Sequence, residues 1–182
     1  MKKLLLTLLL PLSIISSTSY GEEINSLFGI TLYDNAEKYV SSNYINSNKI
    51  KNTETIEGYF DLDISDKIPS ESPYFSLYKI VIYNNKIHSI YGHYDYINMD
   101  ICQAVHKSLL SDLEKKYQID SDYAETSYPT FKISGNFYFT DSNNYFSLQC
   151  KENYEDTSSM LQIMLDSPDF DDAINEFYDS GL

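Results

Sequence analysis

Across residues 55–64 apolar and polar positions alternate, with Ile56, Gly58, Phe60, Leu62 and Ile64 on one side and Glu57, Tyr59, Asp61 and Asp63 on the other. A period of two is the mark of a half-buried strand. Two runs rich in aromatic and β-branched residues, 74–83 and 86–95, flank Asn84-Asn85. Asparagine tolerates positive φ, so this pair predicts a two-residue type I′ hairpin. In that register Tyr83 faces Lys86, Val81 faces His88, Leu77 faces Gly92 and Ser76 faces His93. Over residues 98–117 the period changes. Ile101, Cys102, Val105, Leu109, Leu113 and Tyr117 recur at helical spacing, and Lys107, Asp112, Glu114 and Lys115 lie off that stripe. A long central helix packed on a sheet is expected. Residues 131–140 and 145–150 read as a second hairpin around Asp141-Ser142-Asn143-Asn144, and 158–165 as a further strand. Ser167-Pro168 opens a last helix, with Asp169, Asp171 and Asp172 near its positive end.

Upstream, Leu27 to Leu32 reads as a short extended segment. Asp34-Asn35-Ala36-Glu37 has the form of a capping box, with Asp34 as N-cap and Glu37 reaching back, followed by a short helix to about Ser42. The polar stretch 41–53 has no period and reads as a loop, as does the proline- and serine-containing 66–73. The expected fold is α+β: an antiparallel sheet of about six strands with the long helix across it. The order helix, three strands, helix, three strands, helix suggests a tandem α-β-β-β arrangement.

The first residues change the picture of where the chain works. MKKLLLTLLLPLSIISSTSYG has two lysines, an apolar run broken by Pro11 and a small-residue end, the layout of a secretory signal peptide over residues 1–21. The expected product is a single exported domain, 22–182, without a membrane anchor, periplasmic or secreted. Loss of Lys2 and Lys3 takes the formal charge from −14 to about −16. All 13 basic residues are lysine. Without a guanidinium fork, and with a field that repels polyanions, nucleic acid is excluded as a partner class. The 18 tyrosines divide between ordinary packing and a possible tyrosine-bearing binding face.

Cys102 falls on the helical stripe, and Cys150 ends a strand that carries Phe146 and Leu148 on the same face. In an exported chain, two cysteines directed into one core predict a disulfide. CxxC is absent, so the bond reads as structural.

Candidate chemistry is thin. His88 and His93 are five residues apart, which on a regular strand sends them to opposite faces. A bulge at Gly92 would bring them together. The weak metal candidates are then His93 and Asp95, with Asp100 as a neighbour, and Asp61 and Asp63 at the head of a stretch, 61–72, that starts like a calcium loop. There Asp66 replaces the required glycine and Ser72 the closing glutamate. His106 reads as a helix-flank residue. The acids Asp169, Asp171, Asp172 and Glu176 read as a helix start. GxSxG, HExxH and glycine-rich phosphate loops are missing, and no cofactor is expected.

LFGITLYDNAEKYV, YFSLYKIVIYNNKIHSIYG and DICQAVHKSLLSDLEKKY together resemble small exported bacterial proteins of uncharacterised function. In these an FGI-turn-helix leads a β-rich body, and a helix and a later strand each carry one cysteine. Where that group has glycine after the leucine, this chain has Tyr33. The resemblance implies the fold and no functional residue. The leading expectation is a non-enzymatic exported domain that binds an unidentified protein or small molecule through a sheet face or edge. The alternatives are a metal-assisted periplasmic hydrolase using His93 and nearby carboxylates, and an acidic protein that binds cations weakly.

Overall fold

The computed structural model describes residues 24–51, 56–96, 98–156 and 158–179, so the expected leader at 1–21 lies outside the described residues. Ser26–Leu27 (β1) and Ile30–Thr31 (β2) form a small hairpin. Then come Ser42–Asn48 (α1), Ile50–Lys51 (β3), Phe60–Asp63 (β4), Leu77–Tyr83 (β5), Lys86–Tyr96 (β6) and Met99–Tyr117 (α2). Asp122–Ser127 (β7), Phe131–Phe139 (β8), Tyr145–Asn153 (β9), Ser159–Asp166 (β10) and Pro168–Asp179 (α3) complete the chain.

The large sheet has the order β3-β4-β5-β6-β10-β9-β8-β7, antiparallel throughout. It is two meanders, β3 to β6 and β7 to β10, whose last strands pair at the centre. A helix precedes each. The α+β class and central helix are as expected, but the sheet has eight strands rather than about six. The two additions are the edges: β3 is two residues long, and β7 is exposed along its whole length, so neither carries a hydrophobic alternation.

One face of the sheet forms the core. Ile80, Ile82, Ile87, Ile90, Phe146, Leu148, Leu161 and Leu165 are buried there, with α2 and the segment from Ile24 to Ile45 closing over them. Cys102 and Cys150 are bonded, S–S 2.06 Å, and both are buried. Gln118 ends α2 in the left-handed conformation, φ 54°. Ser167 precedes α3 as expected, its hydroxyl accepting from the Phe170 amide at 3.3 Å.

Several local expectations are corrected. Asn35, not Asp34, caps the first helical turn, accepting from the Glu37 amide; that turn is a 3-10 turn, Ala36–Lys38. Asp34 instead accepts from Lys38 Nζ and the Tyr39 hydroxyl. The true helix, α1, lies in the stretch read as loop, with Ser41 as its cap. Tyr33 adopts φ 63°, a left-handed turn position that glycine would occupy more cheaply. Only residues 60–63 of the alternating run are strand. Gly58 turns at φ 86°, which swings Tyr59 from the expected solvent face into a buried cluster with Val81 and Phe170.

The first hairpin has its Asn84-Asn85 turn, φ 48° and 64°, and Tyr83 faces Lys86. A bulge then adds one residue opposite Val81 and Ile82, so Val81 pairs with Ser89 and Leu77 with His93. The additional residue is His88, not Gly92. Along α2, Ile101 is exposed while His106 is buried, its Nε2–H donating to the Leu148 carbonyl at 2.9 Å. The helix is therefore rotated toward His106 relative to the apolar stripe, because the imidazole satisfies a carbonyl of β9.

Candidate functional site: the open face of the sheet

Side chains alternate across a sheet, so the register assigns the second face. On it, β6 presents Ser89, Tyr91, His93 and Asp95; β10 presents Met160, Gln162, Met164 and Asp166; β9 presents Tyr145, Ser147, Gln149 and Lys151; β8 presents Ile133, Gly135 and Phe137. Among the described residues, α3 packs on this face at one end only, where Phe170, Ala173 and Ile174 meet Val81, Tyr59 and Ile56. Tyr91, His93, Met160, Gln162, Met164 and Gln149 remain half-exposed.

The register organises this face into rows that cross the strands. One row runs Ala124, Gly135, Gln149, Gln162, His93. It is low at the β7 edge and ends in two amides and an imidazole. The row on one side holds Phe137, Ser147, Met164 and Tyr91; the row on the other holds Ile133, Lys151, Met160 and Asp95. The result is a trough with a small and polar floor between mainly apolar walls. A depression of about 220 Å3 over Ala124, Gly135, Ser147 and Gln149 marks its edge end. A larger one of about 690 Å3 lies beside it, over Phe131, Lys151, Met160 and Asp95. There Lys151 Nζ stands 4.0 Å from the Phe131 ring centroid, a cation–π contact.

At the inner end, the Tyr91 hydroxyl and His93 Nδ1 are 2.9 Å apart. Burial, with help from Asp95 and Asp61, pushes the Tyr91 phenol up to about 12. Burial also lowers His93, against the opposing pull of Asp95. Both groups are thus neutral at pH 7, and they share one hydrogen bond whose direction follows the imidazole tautomer. The pair is a hydrogen-bonding site without charge.

The charge distribution sets this face apart. The chain carries 27 carboxylates against 13 lysines, yet between Asp166 at one end of the face and Asp95 at the other, the central strands β6, β10, β9 and β8 hold none, while Asp61 and Asp63 on β4 and Asp122 on β7 flank them. Methionine and aromatic side chains with few charges characterise the core of protein interfaces.

The sequence-derived site residues do not converge elsewhere. His93 and Asp95 share the open face, and Asp61 and Asp63, opposite Val81 and Lys79 on β5, lie on that same face two strands away. Asp63 Oδ1 accepts from the Ser65 amide and hydroxyl, 2.9 and 2.8 Å. Among the described residues, no group of three or more His, Cys, Asp or Glu side chains is placed to hold a metal ion. Asp169, Asp171, Asp172 and Glu176 lie on α3. His88 is five residues from His93 on one strand, about 16 Å, and sits beside Tyr33, Tyr59 and Tyr83.

One constellation was not read from the sequence: His88, Ser167 and Asp169. Ser167 Oγ lies 3.0 Å and Asp169 Oδ2 4.0 Å from the same imidazole nitrogen, Nδ1. A relay needs serine and carboxylate on opposite nitrogens, and Ser167 is 0% exposed. Its hydroxyl is occupied as the α3 cap. The Tyr91–His93 pair was legible as two positions on one strand face. The trough was not, because it exists only once four strands are in register.

No family model, curated protein or solved structure matches the chain.

Proposed function

We propose that the chain is an exported binding module without catalytic activity of its own, and that the open sheet face receives a protein partner. The observation that carries this reading is the carboxylate-poor, methionine- and aromatic-lined trough in an otherwise strongly acidic chain. Solvation alone gives an acidic protein no reason to keep its acids off the centre of a half-exposed face and place them at its margins, whereas an interface core does. The disulfide fits an oxidising compartment, and no described helix is long and apolar enough to cross a membrane.

The reading is tested by site-specific photo-cross-linking in cells that produce the protein, with the cross-linking residue placed at Met164 and, as a control, at Lys107 on α2. A discrete adduct from Met164 that is absent from Lys107 and lost on Gln162→Glu supports it. Adducts of equal yield at both positions, or none at Met164, sink it.

A further inference from the structure

The two edges of the sheet are treated differently. β3 ends one side after two residues, Ile50–Lys51. β7 ends the other with six residues in unbroken register against β8, all six exposed. It has no proline, lysine or bulge to blunt it, and its charges are the two acids Asp122 and Glu125. Its outward backbone amides and carbonyls are a template for another strand.

The charges along β7 select what pairs there. Asp120, Asp122 and Glu125 mark this edge, and the neighbouring Lys132 is engaged with Glu125 at 2.9 Å. A second copy is disfavoured: the antiparallel self-pairings centred on this strand set carboxylates of Asp122 or Glu125 opposite or diagonal to those of the other copy, which is destabilising. A basic strand meets the same carboxylates as counter-charges. On the open face, β7 contributes Asp122, Ala124 and Thr126, and Ala124 and Thr126 are followed by Gly135 and Ile133 in the next strand. A long side chain from an added strand can therefore reach over them into the edge end of the trough. Tyr123, 61% exposed, and Tyr128, 44% exposed, provide apolar surface along the same edge.

We infer that β7 is a docking edge that takes up an extended, lysine- or arginine-rich segment of a protein partner as an added strand. This rests on the binding-module reading and names the partner's chemistry. Main-chain hydrogen bonds supply affinity, the acids set the charge, and the trough reads alternate side chains.

The test is selection of a random decapeptide library, displayed on phage, against the immobilised disulfide-bonded protein. Enriched peptides are expected to be basic with alternating β-branched residues. Their affinity should fall about tenfold with Asp122→Lys, and likewise when alternate peptide amides are N-methylated. Ala124→Pro should abolish binding; because that change can disturb β7 itself, Asp122→Lys, with unchanged circular dichroism, is the deciding variant. Peptides that lose binding with Met164→Asp but not with Asp122→Lys overturn the edge and leave the face reading standing. No enrichment, or enrichment without basic character, also overturns the edge, and the cross-linking result then judges the face independently. Sedimentation showing a dimer that dissociates with Ala124→Pro would overturn it in favour of a second copy.

Discussion

Asp166 stands directly across from Ser89 in the β10–β6 ladder, its carboxyl buried where the chain turns into α3. Burial pushes this carboxyl up to about 7, an effect that the Ser89 hydroxyl reduces and nearby Asp171 increases. Oδ1 has no hydrogen-bond partner. The folded state therefore holds a proton that the unfolded chain releases near the ordinary carboxylate value of 3.8. Where the folded state binds more protons, stability falls as pH rises. The loss should run from about pH 4 to about pH 7 and then level off. Its size is on the order of 4 kcal/mol.

Asp166→Asn keeps the shape and removes the titration. Urea unfolding at pH 5 and pH 8 should show the wild type losing stability between the two and the variant losing none, so that the variant is the more stable at pH 8. Parallel pH dependence in the two proteins would mean that the carboxyl is ionised and solvated in the folded state.

The Cys102–Cys150 bond closes a loop of sequence separation 48. It joins α2 to β9 across the core, and the chain-entropy estimate for such a loop is roughly 4 kcal/mol. Reduction or Cys102→Ala/Cys150→Ala should lower the urea midpoint by a matching amount while leaving the hairpin turns intact. An unchanged midpoint would show that α2 is held by packing alone.

Gly135 and Gly92 make contrasting demands. A Cβ on Gly135 would lie 2.4 Å from the Leu148 carbonyl oxygen and 2.6 Å from Gln149 Cα, both backbone. A Cβ on Gly92 would meet the Phe28 ring at 2.9 Å and Phe75 at 3.3 Å, side chains that can move. Gly135→Ala should therefore cost about 3 kcal/mol and Gly92→Ala about 1 kcal/mol, within the range for overpacking. Paired denaturation curves decide it, and the reverse order would show that the β8–β9 pair yields more readily than the aromatic cluster.

Much of the frame was legible because it follows local rules. Asn84-Asn85 specifies a turn by tolerance of positive φ, Ser167-Pro168 starts a helix, and Cys102 and Cys150 lie on stripes of different period that face one core. What was illegible depends on contacts distant in sequence. The bulge at His88 displaces the ring toward Ser167, 79 residues away, and no local pattern around Ile87 announces it. β7 has no apolar alternation because neither of its faces is covered. Asp166 falls just beyond the strand expected at 158–165, and its burial depends on what surrounds it in the folded sheet. The trough needed the register of β6, β10, β9 and β8, whereas its inner pair, Tyr91 and His93, could be read as two positions on one strand.

The histidines work against Asp166. Burial is the leading cause that lowers His88, His93 and His106 below the ordinary imidazole value of 6.5. For His106, the hydrogen bond to the Leu148 carbonyl and the charge of Glu114 oppose the shift without cancelling it. As pH falls below about 6.5 the unfolded chain takes up protons that the folded chain refuses, so stability falls on the acid side. In wild type this is masked by the gain from Asp166 over the same range. With Asp166→Asn the mask is removed, and stability should decline from pH 6.5 toward pH 5. His106→Gln in that background keeps an N–H donor for Leu148 and should make the decline shallower. The direct measurement is the NMR shift of the His106 ring proton with pH: its midpoint should lie below 6.5. A midpoint at or above 6.5 would show that water reaches the ring, and that α2 is not seated on β9 through this bond.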